Sequence, residues 1–191
     1  MKVSRQQAAA SRERILDAGT RLFRERGFDG IGVADLMREA GLTHGGFYGH
    51  FASKEELMAK ACERALAKSA AKWEALHARD GHEALAAMAD SYLSTRHRDN
   101  PGAGCIVAAV GEEAARHGPP LRRAFTQGVR SLLDILARAM PGRSRAGRRD
   151  KALATFASMV GAIVLARAVD DPELSAQILK AVRDSIDAVS V

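Results

Sequence analysis

The sequence predicts an all-α protein, on three observations. Alanine is used heavily, while aromatic residues make up only 5% of the 191, a balance that favours helices over sheets. No stretch shows the alternation and β-branched enrichment of a strand. Apolar residues instead recur three and four apart between glycine, proline and Asx breaks, which is the helical period. An apolar content of 47% is enough to bury a core.

Residues 1–10 are polar and basic without an apolar face, so they read as a flexible arm. A first helix is expected over 11–26, from Ile15, Leu16, Leu22 and Phe23. Gly27 stands where a left-handed cap is favoured, and Phe28 packs back. A second helix over 33–40 places Leu36, Met37 and Ala40 against the first. Gly41 breaks it, and Thr43 opens a third helix running to about Phe51. Ser53, followed three residues later by Glu56, is a capping box. It opens a long fourth helix over 54–77, whose rise of about 1.5 Å per residue makes it roughly 36 Å long. Five more helices are expected over 83–97, 105–116, 121–140, 151–169 and 173–189, separated by turns such as Asp99-Asn100-Pro101-Gly102 and Gly118-Pro119-Pro120. The chain therefore divides into the arm 1–10, a small domain 11–53 and a larger helical domain 54–191, with helix 54–77 joining the last two.

Composition narrows the function. The net charge is +6 and the sequence pI about 9.7, which suits a polyanionic partner. Two distant cysteines, Cys62 and Cys105, exclude a disulfide-stapled secreted domain. The N-terminus lacks the apolar stretch of a signal peptide. The longest uncharged run, Ala152–Ala166, falls short of the roughly 20 residues a membrane span needs. A cytoplasmic protein without a membrane partner is expected. No phosphate loop, nucleophile–base pair or set of paired carboxylates marks an enzyme, and the histidines lack metal-ligand spacing; neither catalysis, cofactor nor metal is expected. The basic cluster Arg143, Arg145, Arg148, Arg149 and Lys151 reads as a solvated loop.

Residues 41–54, Gly-Leu-Thr-His-Gly-Gly-Phe-Tyr-Gly-His-Phe-Ala-Ser-Lys, carry the sharpest signal. Helix, glycine turn and capped helix form a helix-turn-helix, whose second helix enters the major groove of DNA. Phe47 and Phe51, four apart, read as core anchors beneath it. Thr43, His44, Tyr48 and His50 are too polar and clustered for that role. Tyr48 and Lys54 suit phosphates, and Thr43 and His44 suit bases. Gly45, Gly46 and Gly49 each weaken a helix by about 0.8–1 kcal/mol relative to alanine. Close approach of the backbone to DNA is one reason for them, and tight packing on the first helix is the other.

Arg14-Ile15-Leu16-Asp17-Ala18, Leu22-Phe23, Gly27-Phe28, Ala40-Gly41-Leu42-Thr43, Phe47-Tyr48-Gly49-His50-Phe51 and Ser53-Lys54-Glu55-Glu56-Leu57 follow one another in an order and spacing that resembles the TetR (tetracycline-repressor-like, TetR/AcrR) family of bacterial transcriptional regulators. The resemblance covers about a quarter of the chain. It implies a nine-helix homodimer in which helices one to three bind DNA, helices five to seven enclose an effector and the last two helices pair between subunits. It further implies contacts from Thr43, His44, Gly45, Gly46, Tyr48, His50, Lys54 and the backbone of Gly32, which replaces a more usual hydroxyl residue.

Independently of the resemblance, the last two helices carry apolar positions enough for an association surface, with Phe156, Val160, Val164, Ile178, Val182 and Ile186 as candidates. A single short reading helix makes few contacts, and a two-fold dimer doubles them on a palindrome. Candidate effector-lining residues are Met88, Tyr92, Cys105, Phe125 and Met159, each against the plainer alternative of ordinary core. Cys105 near a helix N-terminus also raises thiol sensing. The main expectation is a dimeric repressor that binds an operator in double-stranded DNA and is released by a small-molecule effector. An enzyme-like helical bundle and a nonspecific architectural DNA binder are the alternatives.

Overall fold

The structure, a computed structural model, describes residues 5–190; side chains are described up to residue 188. Among the described residues there are nine α-helices and no strand. They are α1 (Arg5–Arg26), α2 (Val33–Glu39), α3 (Lys54–Asp80), α4 (Ala84–Tyr92), α5 (Thr95–Asp99), α6 (Ile106–Ala114), α7 (Pro119–Ala139), α8 (Arg145–Ala168) and α9 (Pro172–Ser190). Three short 3-10 segments, His44–Gly49, Gly81–Glu83 and Pro101–Ala103, lie between them.

The first three elements form a small domain around Ile15, Phe23, Phe28, Leu36, Phe47 and Phe51, each at most 1% exposed. Gly27 closes α1 with φ +77°, and its N–H bonds the Phe23 carbonyl at 3.0 Å. A side chain there would also meet the Glu113 carboxylate. The larger domain is built on α3 lying along α7. Gly128 allows this approach, because a Cβ on it would run into the Leu66 side chain. Buried Leu66, Leu85, Met88, Leu132, Leu136, Met159 and Ile163 fill the interior.

Several expectations need correction. Helix α1 begins at Arg5, so residues 5–10 are helix rather than arm; residues 1–4 of that expected arm lie outside the described residues. The third element is a 3-10 segment, His44–Gly49, rather than an α-helix. Three glycines in six residues leave too little helix propensity to hold α geometry, and burial of Phe47 pins the segment instead. The helix expected over 83–97 breaks at Leu93. Ser94 Oγ accepts the His97 N–H at 3.2 Å and starts α5, while Arg183 Nη2 donates to the Leu93 carbonyl at 2.9 Å. The basic loop is largely the first turns of α8, because Ser144 caps it by accepting the Gly147 N–H at 3.0 Å. Arg149 there pairs with Asp134 at 2.6 Å.

Candidate functional site

Ser53 ends the reading segment and starts α3. Its Oγ accepts the Glu56 N–H at 3.1 Å, and Glu56 Oε2 reaches back to the Ala52 N–H at 2.7 Å. The reciprocal cap thus forms one residue earlier on its return arm than the simplest version. Phe47 and Phe51 stack with centroids 5.9 Å apart. Arg12 covers Phe51 at 4.2 Å from its centroid. This floor holds a surface of exposed Thr43, His44, Gly45, Tyr48 and Gly49, with Gly46 and His50 partly buried.

Tyr48 is 68% exposed, its ring standing edge-on to Phe47 at 5.3 Å. A Cβ on Gly45 or Gly49 would meet nothing within 4 Å, and one on Gly46 would make only ordinary contact with Met37. Packing within the chain therefore does not require glycine at these positions. What remains is a backbone left bare toward the outside. Lys54 Nζ donates to the Phe28 carbonyl at 2.6 Å, which commits one of its donors and fixes the ammonium beside the reading segment. Gly32 departs from expectation. Its N–H donates to Asp35 Oδ2 at 3.2 Å, so it is occupied within the chain and faces a carboxylate. That bond, and then Arg38, hold the Asp35 carboxyl below its ordinary range.

The second candidate region is a cavity of about 750 Å³ between α1, α3, α4, α5, α7 and the segment Pro101–Ala103. Of the five residues proposed from sequence, Tyr92 and Cys105 line it. Met88 and Met159 are instead fully buried core, and Phe125 packs half-buried outside the lining. Sequence reasoning missed Arg24, Lys68, Lys72, Trp73, Arg96 and His97, which come from three helices, α1, α3 and α5, with no common spacing.

The cavity wall is internally ordered. His97 Nδ1 lies 2.6 Å from the Tyr92 carbonyl, and the Cys105 N–H donates to His97 Nε2 at 2.8 Å. An Nε2 that accepts must be unprotonated, so His97 is neutral with its hydrogen on Nδ1. Burial first, then Arg167 and Lys72, push its pKa below the ordinary value, against the bond to Tyr92. Trp73 meets Tyr92 at 6.2 Å and Phe156 at 5.9 Å between centroids. Cys105 is the N-cap residue of α6. The Tyr92 hydroxyl is buried without a hydrogen-bond partner, and the adjacent Cys105 thiol makes no bond of ordinary geometry with it. Burial foremost holds this phenol protonated.

Cavity and reading domain are joined by direct bonds. Arg24 of α1 donates through Nε to the Thr20 carbonyl at 2.8 Å and through Nη1 to the Gly104 carbonyl at 2.9 Å. Glu113 of α6 accepts the Phe28 N–H at 2.6 Å, at the residue whose carbonyl holds Lys54.

On the proposed association surface, Phe156 and Ile186 are buried inside the single chain and belong to its core. Val160, Ile178 and Val182 are partly buried, and Val164 is 44% exposed. Sequence reasoning missed Leu153, Leu165 and Leu174, which are also exposed.

Comparison with known proteins agrees with this architecture. A family model described as "Bacterial regulatory proteins, tetR family" matches residues 15–61, and one described as "Tetracyclin repressor-like, C-terminal domain" matches residues 81–182. The HTH-type transcriptional repressor NemR of Escherichia coli is 27% identical over 133 residues, 68% of this chain and 67% of the relative. The HTH-type transcriptional regulator AcrR of Shigella flexneri is 33% identical over 60 residues, 31% of this chain and 28% of the relative. Among solved structures, the reduced form of E. coli NemR superposes with TM-score 0.80 at 22% identity, covering 94% of this chain and 96% of that one. A TetR-family transcriptional regulator from Agrobacterium tumefaciens superposes with TM-score 0.81 at 20% identity, covering 96% and 100%. At these identities the superpositions establish the fold.

Proposed function

Since the chain belongs to the TetR family of bacterial regulatory proteins and is a DNA-binding transcriptional regulator, we propose that it acts as a dimeric repressor released from a palindromic operator by a small molecule. The observation that carries the reading is the contrast on the segment His44–Gly49. Phe47 is fully buried, while the neighbouring Tyr48 ring is left in solvent with bare glycine backbone around it. An exposed aromatic ring on a fixed floor suits a phosphate or sugar contact, and glycine backbone permits close approach to the duplex. His44 and Thr43 stand exposed at the start of the segment, where side chains meet base edges. His50 is partly buried at its end. Lys54, pinned by Phe28, adds a positioned charge for the backbone. Base choice falls on few side chains, so DNA shape and the spacing of two half-sites carry much of the specificity.

Dimerisation would use α8 and α9. The most apolar 18-residue window within Arg145–Ala168 meets the length and hydropathy of a membrane span, yet only 33% of it is buried in the single chain. Leu153, Val160, Val164 and Leu165 of α8, with Leu174, Ile178 and Val182 of α9, supply apolar surface that a second copy would cover. The reading places the protein in the cytoplasm, with the DNA it binds.

Selection of bound duplexes from a random pool, followed by sedimentation of the protein, tests this. The expected result is an inverted repeat with half-sites about one helical turn apart, near 34 Å, bound by a dimer. Recovery of unrelated sequences with no repeat sinks it in favour of an architectural binder. A second reading is favoured by the place of Cys105 in the cavity wall, where oxidation of its thiol would substitute for a ligand. Peroxide should then release operator from the native protein and not from Cys105→Ser.

A further inference from the structure

The cavity has an unusual charge. Its lining includes Arg24, Lys68, Lys72 and Arg96 and no aspartate or glutamate. Elsewhere the chain pairs its cations freely: Arg21 with Glu25 and Glu39, Arg64 with Glu13 and Asp17, Arg138 with Glu74 and Lys180 with Asp184. Among the described residues, Lys68, Lys72 and Arg96 enter no ion pair, and Arg24 bonds only backbone carbonyls. Beneath this rim lie Trp73 and the unpartnered Tyr92 hydroxyl. A buried donor without an acceptor carries a desolvation cost that a ligand oxygen would remove. The volume suits a ligand of drug-like size.

Resting on the regulator reading for its purpose, we infer that this cavity binds a small organic anion with a planar aromatic body, and that Arg24 passes its arrival to the reading domain. The aromatic part lies against Trp73, an oxygen accepts from Tyr92, and the anionic end meets Lys72 and Arg96. Burial lowers the pKa of Arg24, and burial followed by the neighbouring Arg96 lowers that of Lys72, so an incoming negative charge offsets the solvation both have lost and the repulsion between Lys72 and Arg96. Arg24 has its guanidinium divided between Thr20 of its own helix and Gly104 of the cavity wall. An anion that draws the guanidinium from Gly104 loosens the tie between α1 and the larger domain.

Trp73 is the one tryptophan of the chain, so its fluorescence reports occupancy without DNA and without reliance on operator release. 2-Naphthoate and 2-naphthyl phosphate are titrated against neutral 2-naphthamide. The expected result is saturable quenching by the two anions at least about tenfold tighter than by the amide, the size of a charge-assisted hydrogen bond. Lys72→Met with Arg96→Met, both exposed rim positions, should remove that preference, bringing the affinity of the anions down to that of the amide. Equal affinity for anion and amide, or no saturable quenching by either anion, overturns the ligand class. Hydrogen exchange with 2-naphthoate bound should then deprotect the last turn of α1 in the native protein and not in Arg24→Met. Unchanged exchange in the saturated native protein overturns the role of Arg24. Either failure leaves DNA binding, measured separately, intact.

Discussion

The chain has two tyrosines, and they mark its two regions by opposite means. Tyr48 stands 68% exposed above a buried Phe47, while Tyr92 is buried with its hydroxyl unpartnered. The candidate reading surface is exposed, with Thr43, His44 and Tyr48 in solvent. The cavity is concave, with exposed cations at its rim and a Tyr92 hydroxyl in its wall that has already lost water within the fold. DNA is large and supplies its own shape, so a stiff protrusion with little side chain suffices for it. A small molecule supplies almost no shape, so on the proposed function the protein has to build the enclosure and hold an imbalance of charge for it. The two regions also differ in where their stability resides: beneath the surface at the reader, and in the wall itself at the cavity.

Substitutions can break this comparison. Phe47→Ala should cost about 3–5 kcal/mol in urea unfolding, because a fully buried phenylalanine leaves a void under the reader. A cost near zero would mean that the floor does not support the segment. Gly45→Ala has open space and should stabilise the fold by up to about 1 kcal/mol through helix propensity, while weakening operator binding in a gel shift. Unchanged binding would show that the backbone does not approach DNA there. Tyr92→Phe removes a buried hydroxyl that has no partner, so stability should hold or rise by up to about 1 kcal/mol; a clear loss would reveal a bond. Tyr48→Ala should change stability by less than about 0.5 kcal/mol and still reduce binding to all duplexes.

The smallest expected effect is on pH dependence. His97 has a folded pKa below its ordinary 6.5, so the unfolded chain takes up its proton first as pH falls. Its contribution to stability is therefore constant above about pH 6.5 and declines below it, toward the lower folded value. Urea midpoints at pH 7.5 and pH 5.5 should differ less in His97→Gln than in the native protein.

The reader was legible because its determinants are contiguous. Gly41, Phe47, Phe51, Ser53 and Glu56 each act within a few residues of one another, and their spacing states their roles. Even so, spacing alone suggested an α-helix where the structure has a 3-10 segment, since three glycines remove the margin that separates the two. It also could not show that the Gly32 N–H is taken by Asp35. The cavity was barely legible. Tyr92 and Cys105 were named as lining and do line it, whereas Met88 and Met159 proved to be core. Its cations span positions 24 to 96 and reach one wall only after α1, α3 and α5 have packed.

The sequence by itself determined an all-α chain, a helix-turn-helix over its first quarter and a long α3 joining two parts. These follow from period and capping, which are local properties of the chain. The tertiary structure decided which apolar residues of α8 and α9 remain outside, burying Phe156 and Ile186 and leaving Val164 and Leu165 exposed. It also decided that the cations facing Trp73 and Tyr92 lack carboxylate partners. Burial and ion pairing depend on what lies across a gap, and only packing brings the two sides of that gap together.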